Sequence, residues 1–423
     1  MIGSPNLAEA ISCLSDYDPD ALPVASVREI IERVVTPVEA IERVAIRTAL
    51  GRVLAEDLIS PIDVPSSDNS AMDGYAVRAD DLAATGPTAL RVAGTALAGQ
   101  PFAESAGHGE AVRVMTGALM PEGFDTVVIQ ESVVVEGDRV IVPAGQQRGQ
   151  NRRRRGEDLA RGKPALSAGK RLSPADLGLL ASLGFVEVPV RRRLRVAFFS
   201  TGDELRSVGE PLGPGEVYDS NRYTIHGMLT RLGVEPIDMG VVRDDPDALE
   251  RAVRIASESA DAIVSSGGVS VGEADFTRHV MARLGDIAFW KIAMRPGRPM
   301  AFGRIGKASY FGLPGNPVAV MISFYFFARD ALLRQMGVRA EALPFVRARS
   351  ASGFRKRPGR TEYQRARLVH EPDGTMSVHG AGNQGSGVLR SMSEANCIVV
   401  LHHDQGAVVP GDMVDCVAFE GLL

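Results

Sequence analysis

Cysteine is scarce in this chain of 423 residues: Cys13, Cys397 and Cys416 are all there are, and they form no close-spaced pair in the sequence. That excludes a disulfide framework and a CxxC metal site, and it fits a reducing, cytoplasmic setting. Aromatic residues make up 5% with a single tryptophan, so there is no row of rings on which bases could stack. Charge of one sign is also lacking. The net charge is −5 and the pI about 5.9, which gives no basic field to hold nucleic acid. No apolar run is long enough for a bilayer; the densest, Val318 to Ala328, is too short, and residues 1 to 23 lack a basic segment followed by an apolar block. Neither a membrane nor nucleic acid is therefore expected as a partner. The seven histidines show no HxH or HExxH spacing, His402-His403 reads as structural, and neither a GxSxG elbow nor a Cys/His nucleophile arrangement occurs. Chemistry by metal ion and charge remains.

The length favours two to four domains, and 45% hydrophobic residues suffice to build their cores. Residues 1–25 mix Ser, Pro, Asp and Ala without sustained periodicity and read as a mobile or loosely docked arm. From Ser26 the pattern is helical, with Ser26 and Glu29 as a capping box and Val27, Ile30, Ile31, Val34 and Val35 on one stripe; a second helix is expected from Pro37 to about Leu50. Between 65 and 159 the period shifts toward two, with a strand at Ala111–Thr116 and a hairpin around Glu136-Gly137-Asp138. Helical pattern returns at Ser173-Pro174, so a β-rich domain is inserted between the halves (26–64 and 160–193) of a helical one. From 194 to 343 apolar strands alternate with helices, which defines a doubly wound α/β domain, and 344–423 reads as a small all-β domain.

In an open parallel sheet, ligands bind beyond the carboxyl ends of the strands. There the chain places Thr201-Gly202-Asp203-Glu204, then Arg243-Asp244-Asp245, then Ser265 to Phe276, then Gly312-Leu313-Pro314-Gly315-Asn316-Pro317. The third is the most informative. Gly267 and Gly268 let backbone N–H groups approach an anion, with Ser270 and Gly272 in the same loop and a helix beginning after it. Asp275 supplies a hard oxygen for magnesium. An ordinary Gly-rich turn is the alternative. Asp245 is explained as an N-cap, which leaves Asp244; Glu204 is either a ligand or a solvated first-turn acid. Carboxylates converging on one crevice repel unless a cation joins them, and oxygen ligands of this kind suit magnesium beside substrate phosphate.

Lys291, Arg295 and Arg298 add three cations around a Pro-Gly turn, as anion ligands or as edge-strand guards. Asp68 to Ala76 packs small residues around Asp73 as a binding loop would, or as a plain turn. Arg152 to Arg155 precede Glu157-Asp158, either as a solvated face or as forks for an oxyanion.

Together these segments, with Arg113 to Gly117, Ser200 to Leu205 and Pro358-Gly359-Arg360, resemble the molybdopterin molybdenumtransferase family, known as MoeA in bacteria and as the E domain of gephyrin in animals. The resemblance covers residue 25 to the C-terminus. It implies a multidomain α/β fold with a molybdopterin-binding type α/β domain, an inserted β-rich domain, a helical N-terminal domain and a small C-terminal β-barrel-like domain. It further implies a homodimer with the site between subunits, transient contact with the preceding adenylyltransferase and with molybdoenzyme chaperones, and a magnesium-dependent reaction. In that reaction molybdate enters the dithiolene of adenylylated molybdopterin and AMP leaves. The matching positions are Asp73, Thr116 and Asp158; Glu204, Asp244, Asp275, Lys291 and Arg295; and Arg365 and Ser386. Thr201, Gly267, Gly268, Ser270, Gly272, Arg298, Pro314, Gly315 and Asn316 are expected to hold the cofactor precursor, and Glu204, Asp244 and Asp275 the metal. Arg295 and Arg298 stand where relatives often have lysine. A pterin-binding scaffold without turnover, or an unrelated nucleotide-binding transferase, are the competing readings.

Overall fold

Six strands in the order Glu235–Val242, Arg195–Thr201, Ala262–Ser266, Ala308–Leu313, Pro299–Ile305, Asp286–Lys291 form the central sheet. The first four are mutually parallel, and the last two run antiparallel to their neighbours. The computed structural model describes residues 7–12, 18–269, 274–339 and 343–422, and of residues 274–276 only the backbone.

The pleat sorts the strand side chains onto two faces. Val196, Phe198, Val264, Phe311 and Leu313 point toward one core, shared with Ile225 and Leu229 of helix Ser220–Leu232 and with the helical run from Pro317 to Gln335. Ala197, Phe199, Ile263 and Tyr310 face the other core, against Leu249 and Val253 of helix Pro246–Ser259 and Met281 of helix Ala274–Leu284. Helices on both faces make the sheet doubly wound, as the near-continuous apolar strands require. Local signals act as expected: Asp245 caps its helix by accepting from Ala248 N at 2.7 Å with Pro246 at the first position, and Gly233 ends the preceding helix in the left-handed conformation.

The inserted segment forms its own six-stranded sheet, which includes Gly74–Val77, Glu110–Val114 and the hairpin Val134–Glu136/Arg139–Val142. Chain on either side of it pairs again: Ile41–Ala45 with Glu187–Arg191, and Leu58–Ile59 with Pro164–Leu166. At the C-terminus, Val346–Ser350, Met376–Gly380, Thr361–His370, Cys397–Leu401 and Met413–Ala418 pair in a closed ring, a five-strand barrel. Cys397 and Cys416 are buried free thiols within it.

Two helix expectations need correction. Helix Val24–Val34 starts two residues before Ser26, behind Pro23, without a side-chain cap, so the Ser26–Glu29 box does not form. The chain enters already fixed by the bridge of Leu22 to Ile292. From Pro37 to Leu50 there is no α-helix; Ile41–Ala45 is a strand, followed by a 3₁₀ turn. That segment is largely exposed, so an amphipathic helix there has nothing to bury, whereas the edge of Glu187–Arg191 offers five residues a ladder. Around the insertion the helical content is thus mainly Val24–Val34 and Pro174–Ser182, the latter with a full capping box from Ser173 and Asp176.

Residues 7–12 and 18–22 are docked. Leu7 and Ala10 are buried, and Leu7 N donates to Asp286 Oδ2 at 3.2 Å. Lys291 N donates to Pro19 O at 2.7 Å, Leu22 N to Lys291 O at 3.2 Å and Ala293 N to Leu22 O at 2.9 Å. The arm thereby satisfies the backbone of Lys291 at the end of the edge strand Asp286–Lys291 and touches the Asp286 carboxylate at its start.

Candidate active site

At the carboxyl ends of the parallel strands lies a cavity of about 610 Å³. Its wall brings together Thr201 and Glu204, the Gly267-Gly268 turn, Arg295 and Arg298, the Pro314-Gly315-Asn316 loop, and Ser386 from the segment that borders the barrel. The sequence spread these over nearly two hundred residues; sheet order makes them neighbours. Gly267 has φ +93°, and a Cβ there would lie 2.6 Å from Thr201 O, so only glycine lets this turn pass the first strand. Gly267 N donates to Leu313 O at 3.1 Å, which ties the glycine turn to the fourth loop.

Arg295 belongs to the short strand Met294–Arg295, paired with Thr361–Glu362 of the barrel. The barrel is thus anchored to the cavity wall and contributes Arg360, Gln384 and Ser386. Arg365 does not line this cavity. It is almost fully buried and donates to Ser391 Oγ at 3.1 Å and to Asn383 O and Gly385 O at 2.9 Å each, so it shapes the loop that presents Gln384 and Ser386. Burial, with Arg295 nearby, lowers its pKa to about 10.

Asp244 sits beside the cavity, with Asp203 N donating to its Oδ2 at 3.3 Å. Burial pushes its carboxyl above the usual range, and the charges of Asp203 and Glu204 add to the shift. Such like-charge crowding is what a bound cation relieves. Among the described residues no three ligand side chains cluster for a metal. Ser270, Gly272 and the side chain of Asp275 lie outside the described residues.

Lys291 lies at the end of the edge strand and is not in the cavity wall; its Nζ pairs with Asp20 Oδ1 at 2.7 Å, and Arg298 donates to Asp20 O at 3.1 Å. Lys291 and Arg298 are thus engaged by the arm. Asp73, Thr116 and Asp158 are also absent from the wall. Asp73 and Thr116 bond directly to each other, and Asp158 is exposed on the loop after the arginine run. Within that run Arg152 pairs with Asp68, Arg155 Nε reaches Asp63 at 2.6 Å, and Arg155 N donates to Asp68 Oδ1 at 2.7 Å, which stitches the Asp68 loop in place. His402 pairs with Asp415 at 2.7 Å, a structural contact. Missed by sequence reasoning were Asn221, Gln384 and Arg360 as wall residues. Arg360 stood in a noted motif; Asn221, in the first turn of a helix, and Gln384, in a loop, carried no local signal.

The fold defines a class: an α/β domain with a glycine-turn cavity at its strand ends, an inserted β sheet and a five-strand barrel closing one side. Comparison with known proteins gives the family. Residues 22–184 match the model of the MoeA N-terminal region (domain I and II), 197–334 that of a probable molybdopterin binding domain, and 347–419 that of the MoeA C-terminal region (domain IV). The chain is 43% identical over 384 residues to the molybdopterin molybdenumtransferase of Haemophilus influenzae, covering 90% of this chain and 95% of that one. It is 38% identical to that of a Nostoc species, over 85% and 84% of the two chains. A crystal structure of a molybdopterin biosynthesis moeA protein from Pyrococcus horikoshii aligns with a TM-score of 0.81 at 29% identity, covering 95% of this chain and all of the other. The chain belongs to the MoeA family.

Proposed function

We propose that this chain is a molybdopterin molybdenumtransferase, which inserts molybdate into the dithiolene of adenylylated molybdopterin and releases AMP. One observation carries this: a single cavity joins a glycine turn, an acid and three arginines, Arg295, Arg298 and Arg360. Backbone N–H groups of the turn suit phosphate oxygens, and guanidinium forks suit phosphate or molybdate. Glu204 and Asp244 would hold magnesium, together with Asp275, whose placement rests on the sequence. When bound, the ion neutralises charge on the phosphoanhydride. Lys291 holds molybdate near the arginines once Asp20 yields it. Arg365 keeps Ser386 in position.

Asp73, Thr116 and Asp158 act in this reading from a second subunit, since none of them lines the cavity of its own chain. The working domain limits are 26–64 with 160–193, 65–159, 194–343 and 344–423. A non-catalytic scaffold is not favoured, because Glu204 and Asp244 both stand at strand ends and the curated relatives are named as transferases. The test is incubation with adenylylated molybdopterin, magnesium and molybdate. Molybdate-dependent AMP release with formation of active cofactor is expected; pterin binding without AMP release would support the scaffold.

A further inference from the structure

We propose that Asn221 is a substrate-binding residue, whose Oδ1 accepts a hydrogen bond from an N–H of the substrate's heterocycle. Asn221 lies in the first turn of helix Ser220–Leu232, is 8% exposed, and is part of the cavity wall. Its two ends behave differently. Nδ2 donates to Ser266 Oγ at 2.9 Å and to Gly315 O at 2.6 Å. It thereby clamps the chain just before the glycine turn to the Pro314–Asn316 loop, and Ser266 Oγ reinforces the clamp by donating to Pro314 O at 3.3 Å. Those bonds fix which end of the amide carries the oxygen, because a flipped amide would set two carbonyl oxygens, its own and that of Gly315, against each other.

Oδ1 is left buried without a partner. Of the described residues that carry such an atom, Asn221 is the one that lines the cavity. A buried acceptor without a donor is costly, and a site built to offer one selects ligands that supply the donor. Phosphate and molybdate oxygens at neutral pH accept hydrogen bonds and would be repelled; the arginines and backbone N–H groups serve them instead. The matching group is a heterocyclic N–H, which the adenylylated substrate carries on its pterin and on its adenine. This rests on reading the cavity as the site of that substrate.

The experiment measures calorimetric binding of 6-hydroxymethylpterin, AMP, their N-methylated analogues and inorganic pyrophosphate to wild type and Asn221→Ala, with thermal unfolding alongside. For Asn221→Ala we expect at least a tenfold loss of affinity for one heterocycle, and the affected probe tells pterin from adenine. Pyrophosphate binding should change less than twofold. N-methylation, which removes the donor from the heterocycle, should weaken binding of that same probe to wild type at least tenfold. Equal losses for heterocycle and pyrophosphate would reduce Asn221 to a loop clamp and overturn the inference, as would heterocycle binding left intact in Asn221→Ala. If Asn221→Ala does not fold, the N-methylated probes on wild type decide: a tenfold loss supports the proposal and unchanged binding overturns it. Wild type that binds neither heterocycle sinks the reading of the cavity itself.

Discussion

Asp73 and Thr116, 43 residues apart, are locked together: Asp73 Oδ1 accepts from the backbone N–H of Thr116 at 2.7 Å and from its hydroxyl at 2.8 Å. These bonds, the backbone one first, hold the Asp73 carboxyl below its usual range. For a lowered carboxyl the contact is at full strength above the unfolded value of 3.8 and is lost as pH falls through the lower folded one. Thr116→Val should therefore raise the Asp73 pKa part of the way back, since the backbone donor stays. A carboxyl-carbon NMR titration reads this directly, and an unmoved midpoint would remove the hydroxyl from the account.

If Asp73 completes the cavity of a partner subunit, Asp73→Ala and Glu204→Ala proteins are each inactive, yet mixed dimers regain activity. One of the two sites in a mixed dimer carries both substitutions and the other carries none, so roughly half the sites should work. Mixtures that stay inactive after subunit exchange would place both residues in one chain's site.

Gly267→Ala should fold with a penalty of about 1–3 kcal/mol for a strained backbone, and should lose substrate binding by more than an order of magnitude. The added methyl meets Thr201 O at 2.6 Å, and the turn must shift away from the first strand. Binding within twofold of wild type would show that the turn is not part of the site.

Asp244 offers a test of the metal through pH. Its carboxyl is raised, so the ionised form costs stability above the folded pKa, and this cost is relieved as pH falls through it. Asp244→Asn should leave the metal-free protein as stable as wild type or more so at neutral pH. The same change should abolish stabilisation by magnesium and lower turnover about tenfold or more. Differential scanning calorimetry with and without magnesium separates the two effects, and an unaltered magnesium response would exclude Asp244 as a ligand.

Lys291 and Asp20 should act in opposite directions. Lys291→Ala should raise half-saturating molybdate about tenfold, the loss expected for one charge-assisted contact. Asp20→Asn, which frees Lys291 from its partner, should lower it by about two- to threefold, as suits an exposed ion pair. Molybdate dependence unchanged in both, with only thermal stability altered, would make the cluster an edge device.

Much of the α/β domain was legible because its signals are local. Asp245-Pro246, Gly233 and continuous apolar strands each specify one conformation, and strand ends then locate the loops. The failures came where tertiary partners decide. Residues 37–50 satisfy a helical period, yet the open edge of Glu187–Arg191 takes them as a strand. For Arg365, expected at the site from the resemblance, a sequence cannot tell a guanidinium that touches substrate from one that holds the loop doing so, and the bonds seen are to the loop. Asn221 was invisible for a related reason: its role depends on Ser266 and Gly315, which only the sheet order brings near.

The docked arm makes the N-terminus a stopper for a reactive rim. Without residues 18–22 the backbone N–H and C=O of Lys291 would lose their partners at the end of this edge strand and be ready to recruit another chain. A truncated protein beginning at Pro23 should therefore form concentration-dependent oligomers beyond any native assembly, and Lys291 would face solvent unescorted at the same time. Trimming this end to ease crystallisation, or fusing a bulky tag close to Asp20, would consequently alter both self-association and anion affinity.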